Sequence, residues 1–489
     1  AAWTGDIDHS SLVHLGERTA TVWFGEGLLR DLLKSDVDPL RDKIFKHEKE
    51  HLLGNHNIDN EPGYDELVRE VYEDRVLKLI PEDLYRKSVQ KSADWLIDCY
   101  NPKTGLCDSY DDEGGMNVPD TIAPAAHIFD QSLWIMAMDS IGAHKNAEKV
   151  LKALSEIQNP DGSFYSAYNA NDRTVIFDDV RLGPIAFVIM ANNFHIFATG
   201  GVANGDKKYL NMSVKAADYL LAQQGSDGSF RTSTNTGGFA SVEENIDCYS
   251  ALYYLARITG DPKYANAVSK VKQFLQKTWD NDKGYFYKSM EYLFFFGTPN
   301  QGIAYDTSVW GYLLMGDKGE QGELYARGLD FIKKNLLNSE DTGLVHLDEN
   351  KQFEGAFWVD PTIWYAIARL KRGDMGEAFH YFNNMLKLQT EKGGYPLNHW
   401  LNRGKPDDSH PNPVWPLYPF EGIHPAAASV FFYNTLKKPD FNIFHPTINV
   451  GSPLSGMTVK ELPVPEDQPT PPIDIDIDPV SEDILSSAA

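Results

Sequence analysis

Two kinds of apolar pattern alternate along this chain. In the first, small and aromatic residues occupy nearly every face of a helix. It returns six times: IFDQSLWIMA from Ile128, RLGPIAFVIMA from Arg181, NIDCYSALYYLA from Asn245, AYDTSVWGYLLM from Ala304, WVDPTIWYAIA from Trp358 and GIHPAAASVFFY from Gly422. In the second, one apolar stripe is backed by Lys and Glu, as in HKNAEKVLKALSEIQ from His144 and PKYANAVSKVKQFLQ from Pro262. A helix apolar all round must be buried on every side, whereas a single stripe covers something else. A self-similar period of roughly 55–65 residues, with one helix of each kind, marks a closed or stacked helical repeat. LYRKSVQKSADWLIDCY from Leu84 supplies the sixth covering helix. The pattern predicts an all-α fold, an (α/α)6 barrel or toroid of six inner and six outer helices.

Outside residues 81–447 the pattern fades. Residues 1–80 read as an irregular N-terminal extension with one or two helices, YDELVREVYEDRVLKLI being the clearest. Residues 448–489 read as an extended acidic tail, because VPEDQPTPPIDIDIDP is too rich in Pro and Asp to bury a core.

Composition narrows the partners. A formal net charge of −25 with no basic cluster opposes nucleic acid and anionic membrane surfaces. It also makes a polyanionic substrate a poor match. No apolar run reaches the length of a membrane span. The AAWTGD start reads as a mature end after cleavage at a small-residue site, or as a trimmed start, and favours an extracytoplasmic (periplasmic or secreted) location. Three cysteines are too few for a disulfide framework; Cys99 and Cys107 flank a short turn and could pair, and Cys248 reads as a buried small hydrophobe.

Several motifs weigh little. HEKEH at His47–His51 departs from a zinc-protease helix and reads as a solvated charged face. DNDKGYFYKSME from Asp280 has its glycine one place early for a calcium loop and reads as a turn. A recurring Q-x3-G-x-aromatic (QNPDGSF, QGSDGSF, QTEKGGY, and the looser WDNDKGYF) reads as a Gly-terminated helix end with an aromatic staple. Terpene cyclases share that signature, but the acidic motif they need is absent from any segment that could line a cavity. No metal or other cofactor is implied.

In a ring of inner helices all their starts lie at one end, so the loops before them line one funnel. These loops bring carboxylates and aromatics together, as acid/base work on a polar ring-shaped substrate requires. An Asp in a helix's first turn also serves as a cap or dipole partner, worth about 0.5–2 kcal/mol. Capping does not account for the Glu243–Glu244 tandem.

TGLCDSY at Thr104–Tyr110, FDQS at Phe129–Ser132, QNPDGSF at Gln158–Phe164 and VEENIDCYSAL at Val242–Leu252 resemble motifs of the six-hairpin glycosidase superfamily, over about residues 84–445. The resemblance implies a carbohydrate-active enzyme, with hydrolases, epimerases and lyase relatives all on this barrel. Glu243, Glu244 and Asp130 are then the expected catalytic carboxylates. Asp247, Asp306, Asp360, Glu421, His424, Tyr110, Arg181, Trp134, Trp310, Trp358 and Trp364 are the expected substrate contacts, with Trp415 a further flat face. Three readings stand. One is a glycoside hydrolase acting on an oligo- or polysaccharide through paired carboxylates. The second is a polysaccharide lyase or sugar epimerase, and the third a non-catalytic saccharide-binding or surface-assembly protein.

Overall fold

The computed structural model describes residues 10–15, 18–23, 82–111, 118, 122–231, 239–293, 296–316, 321–352, 355–400, 420–452, 454 and 457–463. The expected helix at 64–80, HEKEH and residues 464–489 lie outside these. A β-hairpin, Ser10–Leu15 against Arg18–Trp23, is described in the N-terminal region.

Twelve α-helices build the toroid. The outer ones are α1 (Glu82–Asp98), α3 (His144–Ile157), α5 (Leu210–Ala222), α7 (Pro262–Lys277), α9 (Gly322–Leu336) and α11 (Met375–Leu386). The inner ones are α2 (Ile128–Ser140), α4 (Leu182–Ala198), α6 (Val242–Thr259), α8 (Tyr305–Met315), α10 (Val359–Arg372) and α12 (Ile423–Lys437). The inner helices touch in the order α2, α4, α6, α8, α10, α12 and back to α2, which closes the ring; each outer helix packs on the inner helix beside it. The patterning explains the layers. Every residue of α2 except Phe129 is buried, whereas α3 buries only the stripe Asn146, Ala147, Val150, Leu151, Ala153 and Leu154. Among the described residues, no helix is long and apolar enough to cross a membrane.

The Q-x3-G repeat has a more specific job than ending a helix. The Gln158 side chain donates to Gly162 O and, at 3.0 Å, to Met212 O on the next outer helix; Gln224 does the same to Gly228 O and Ala267 O. Gln389 closes the circle by donating to Gly393 O and to Ser88 O on α1. In each of six loops one residue takes a positive φ: Gly105, Gly162, Gly228, Gly284, Asp341 and Gly393. Five of them sit against the next outer helix so closely that a Cβ on Gly162 would lie 2.3 Å from Lys215 O, and one on Gly393 2.1 Å from Lys91 O. Asp341 makes the same approach through Tyr381, whose hydroxyl donates to it at 2.8 Å. Glycine is needed because the left-handed backbone and the helix contact coincide. The glycine lies beyond the helix end in a turn, so the left-handed cap expected from sequence is replaced by a stitch between neighbouring outer helices.

A second tie runs inward. The fourth residue of an inner helix reaches back to the backbone just after the stitch. Gln131 brackets Cys107 N and O, Asn245 brackets Phe230 N and O, Ser308 Oγ accepts from Phe286 N, and Thr362 Oγ1 from Leu344 N. These polar residues inside apolar helices are thus satisfied structurally.

The DNDKGYF segment is a hairpin turn in which Asp280 Oδ1 accepts from Asp282 N and Lys283 N, and Glu291 Oε1 accepts from Asn300 Nδ2 on the neighbouring strand. All three thiols, Cys99, Cys107 and Cys248, are free, so the pairing considered for the first two does not form. The described residues between 438 and 463, whose end the sequence pattern assigned to the tail, cross the base of the toroid. Phe444 packs on Trp310 and Trp364, and His445 Nε2 lies 2.6 Å from Leu314 O. Gln90 and Thr458 exchange two hydrogen bonds, and Leu454 and Leu462 are buried.

Candidate functional site

All six inner helices begin at the end opposite this strap, four of them directly after a short strand, such as Ala125–His127 before α2 and Ala356–Trp358 before α10. Their N-cap residues are His127, Arg181, Ser241, Ala304, Trp358 and Gly422, and none makes a side-chain cap bond. The first-turn carboxylates therefore do not cap. Asp306 accepts one helix N–H, from Thr307 at 2.7 Å.

The helix starts set the register of the repeat. Gly183, Asp306, Asp360 and His424 share the second position of their helices, and the residues beside them in the ring are Phe129 and Glu243. Asp130 stands one place later, and Asp247 one turn deeper than Glu243. Taken in the order of the inner helices, the second positions read Phe129, Gly183, Glu243, Asp306, Asp360, His424. In six-fold order Glu243 lies across the lumen from His424, and Gly183 across from Asp360.

Glu243 is partly open to the lumen. Burial raises its pKa, with Arg181 and His424 opposing from nearby. Asp247 is 1% exposed, and its Oδ1 has no hydrogen-bond partner among the described residues. Burial, then the charges of Glu243, Glu244 and Asp306, lift its pKa well above the carboxylate range. Asp306 is lifted similarly by burial and Glu243. Desolvation and like charge together keep such groups protonated.

Glu244 points the other way. It is buried, and its Oε1 takes Arg181 Nη2 at 3.1 Å. It lies under Gly183, where an added Cβ would sit 2.7 Å from Glu244 Cγ and 3.2 Å from Asp247 Oδ2. The glycine that interrupts the ring is the space that this glutamate fills. Asp130 is equally buried, with Oδ1 2.6 Å from His424 Nε2. Asp360 Oδ2 lies 3.9 Å from His424 Nδ1 and accepts from Tyr305 OH at 3.4 Å. Burial opposes a charge on His424, but Asp130 and Asp360 outweigh it and lift its pKa to about 10, so it is an imidazolium at neutral pH. His346, which sequence reasoning missed, sits 3.9 Å from Asp306 Oδ2, and burial lowers its pKa to about 4. His346 is thus a neutral imidazole and His424 a charged one at the same mouth.

Aromatics form one wall. The Phe177 ring stacks on His127, His127 meets Tyr110 edge-on, and Tyr110 meets Phe420, with centroids 5.6, 5.7 and 5.1 Å apart. Of the expected tryptophans, Trp358 is buried at the start of α10. Trp310 forms the floor beneath Phe129, packed on Phe187 and Phe444. Trp134 is no sugar platform: it is fully buried between layers, donates to Leu96 O and stacks on Tyr100. Trp364 is likewise core, against Trp310, Phe431 and Phe444. Glu421 also leaves the cluster; its strand pairs with Tyr110–Asp111, and its carboxyl sits where a Cβ on Gly394 would be, close to Trp95 Nε1. Trp415 lies outside the described residues.

No family model matches the sequence, and no curated protein does either. Solved structures with the same architecture do. A structure titled "Glycosidase Wild Type" shares 11% identity over 73% of this chain and 97% of its own, at a TM-score of 0.56. A D-mannose isomerase shares 14% over 72% and 97%, at 0.54. An unsaturated glucuronyl hydrolase specific for heparin shares 11% over 74% and 99%, at 0.52. The chain has the six-hairpin glycosidase-like fold, the (α/α)6 toroid that the repeat predicted. At these identities the likeness concerns the fold alone.

Proposed function

We propose that this protein is a sugar-processing enzyme, and that it hydrolyses glycosidic bonds with Glu243 as general acid. The observation that carries the reading is the contrast between Glu243 and its neighbours. It opens on the lumen from the second position of α6, and burial keeps its carboxyl protonated at higher pH than a free glutamate. A protonated carboxyl facing a pit can donate to a leaving glycosidic oxygen. Asp360, beside the His424 cation, is the carboxylate to take a proton from water. His424, fixed by Asp130, would donate to a sugar hydroxyl. Asp130 and Glu244 are too buried to touch substrate and act as positioning residues. Neighbours of this fold titled as glycosidases agree with that reading.

The test is leaving-group dependence. Glu243→Gln should slow hydrolysis of a disaccharide by about 10²–10⁴-fold but spare much more of the activity on a dinitrophenyl glycoside, which leaves without a proton. Equal loss on both, or none on either, would remove Glu243 as the acid.

The neutral His346 favours a second reading, sugar isomerisation, since an uncharged imidazole can take a proton from carbon. A fold neighbour is titled a D-mannose isomerase. Incubation of aldoses in deuterated water separates the two: isomerisation washes deuterium into the sugar without releasing a reducing end.

A further inference from the structure

We infer that the pit is built for an uncharged sugar and turns away uronic acids, and that Glu244 sets this selectivity by occupying Arg181. The inference rests on the saccharide reading above and names its substrate class. A uronate is recognised by a cation with a free donor edge, usually a guanidinium. Three described cations near the mouth are already engaged. Arg181 Nη2 is 3.1 Å from Glu244 Oε1, His424 Nε2 is 2.6 Å from Asp130 Oδ1, and Lys288 Nζ is 2.9 Å from Glu349 Oε1. A third of the Arg181 side chain still faces solvent, so it is placed to greet a ligand, but a buried glutamate has taken its charge. Glu243, Asp306 and Asp360 face the same space from three successive inner helices. With Glu243 and Asp306 protonated, a sugar carboxylate would meet the charge of Asp360 with no uncommitted counter-charge among these described cations, and like charges brought together in a partly desolvated site repel. A hydroxymethyl group carries no such penalty. The device depends on Gly183, because a side chain there would collide with Glu244 and push it off Arg181.

The experiment is equilibrium binding by calorimetry, which needs no turnover. The ligands are methyl glycosides of glucose, galactose and mannose, in both anomers, and the matching uronic acids. The intact protein should bind at least one neutral glycoside about tenfold or more tightly than its uronate partner. Raising the salt concentration should strengthen uronate binding, since it screens repulsion, and leave neutral binding unchanged. Glu244→Gln removes the countercharge from the guanidinium and should narrow the preference by about tenfold. Tighter uronate binding, or uronate binding weakened by salt, overturns the proposal on the unaltered protein even if the variant does not fold. A folded Glu244→Gln protein with an unchanged preference removes the role of Glu244. If no sugar binds, the saccharide reading falls and this inference with it. Selective binding without hydrolysis removes only the hydrolase reading.

Discussion

At one end of the toroid the outer and inner rings obey different rules. Around the outer ring, six loops repeat one solution, a positive-φ residue leaning on the next helix, with Asp341 the sole substitute for glycine. Around the inner ring, the six second positions hold Phe129, Gly183, Glu243, Asp306, Asp360 and His424, no two neighbours being alike in charge and size except Asp306 and Asp360. Six equivalent mechanical problems select one answer six times. A pit that must hold one ligand in one orientation cannot be six-fold, so its symmetry is broken residue by residue. Uniformity therefore marks where this chain holds together, and irregularity marks where it acts.

Substitutions at the two rings should separate these roles. The largest effect is expected from Glu243→Gln, a loss of about 10²–10⁴ in kcat with the melting temperature preserved, measured by assay and calorimetry together. Next comes Gly393→Ala, whose Cβ cannot fit against Lys91 O and whose backbone is left-handed. It should cost about 2–4 kcal/mol in denaturant unfolding, while the protein that remains folded keeps its specific activity. If instead Gly393→Ala abolished activity without destabilising, the division between the rings would be wrong.

Asp247→Asn should act in the opposite sense. A carboxyl whose folded pKa is raised is bound to its proton more tightly folded than unfolded. Its cost to stability grows as pH rises from the unfolded pKa towards the folded one. Removing that ionisation should stabilise the protein at neutral pH, by about 0.5–2 kcal/mol, the usual reward for relaxing a functional site.

The smallest effect is on pH dependence. The folded pKa of His424 is raised to about 10, so its contribution is full below the unfolded histidine value and is lost as pH climbs through about 10. Thermal melts of His424→Asn should show a shallower decline between neutrality and pH 10 than the parent protein.

The architecture was legible in the sequence because burial on all sides and burial on one stripe leave different patterns, and each recurred. The stitches were half legible. QNPDGSF, QGSDGSF and QTEKGGY declared themselves, but Gly105 lacked the glutamine and Asp341 lacked the glycine. The site was legible as a set of loops and carboxylates, not as roles. Glu243 and Glu244 are adjacent in sequence, yet one faces the lumen and the other an arginine, because successive helical residues point about 100° apart. Asp130 and Asp247 matched the repeat by residue type while standing at other depths, since an Asp one turn down looks the same in a string of letters. Trp134 and Trp364 failed as platforms because an aromatic in an inner helix has two sides to choose from, lumen and layer. His346 escaped notice because it lies in a loop outside the repeated phrase.

The strap across the base places a limit on time rather than on shape. Gln90 on the first outer helix finds its partner at Thr458, a separation of 368 residues. Inner helix α2 needs α12 beside it before its last face is covered. On a growing chain the early helices must wait, with apolar faces unmet, until nearly four hundred further residues have been made. Contacts so distant in sequence make closure slow as well as late. Until the ring closes, those apolar faces are open to other copies of the same chain.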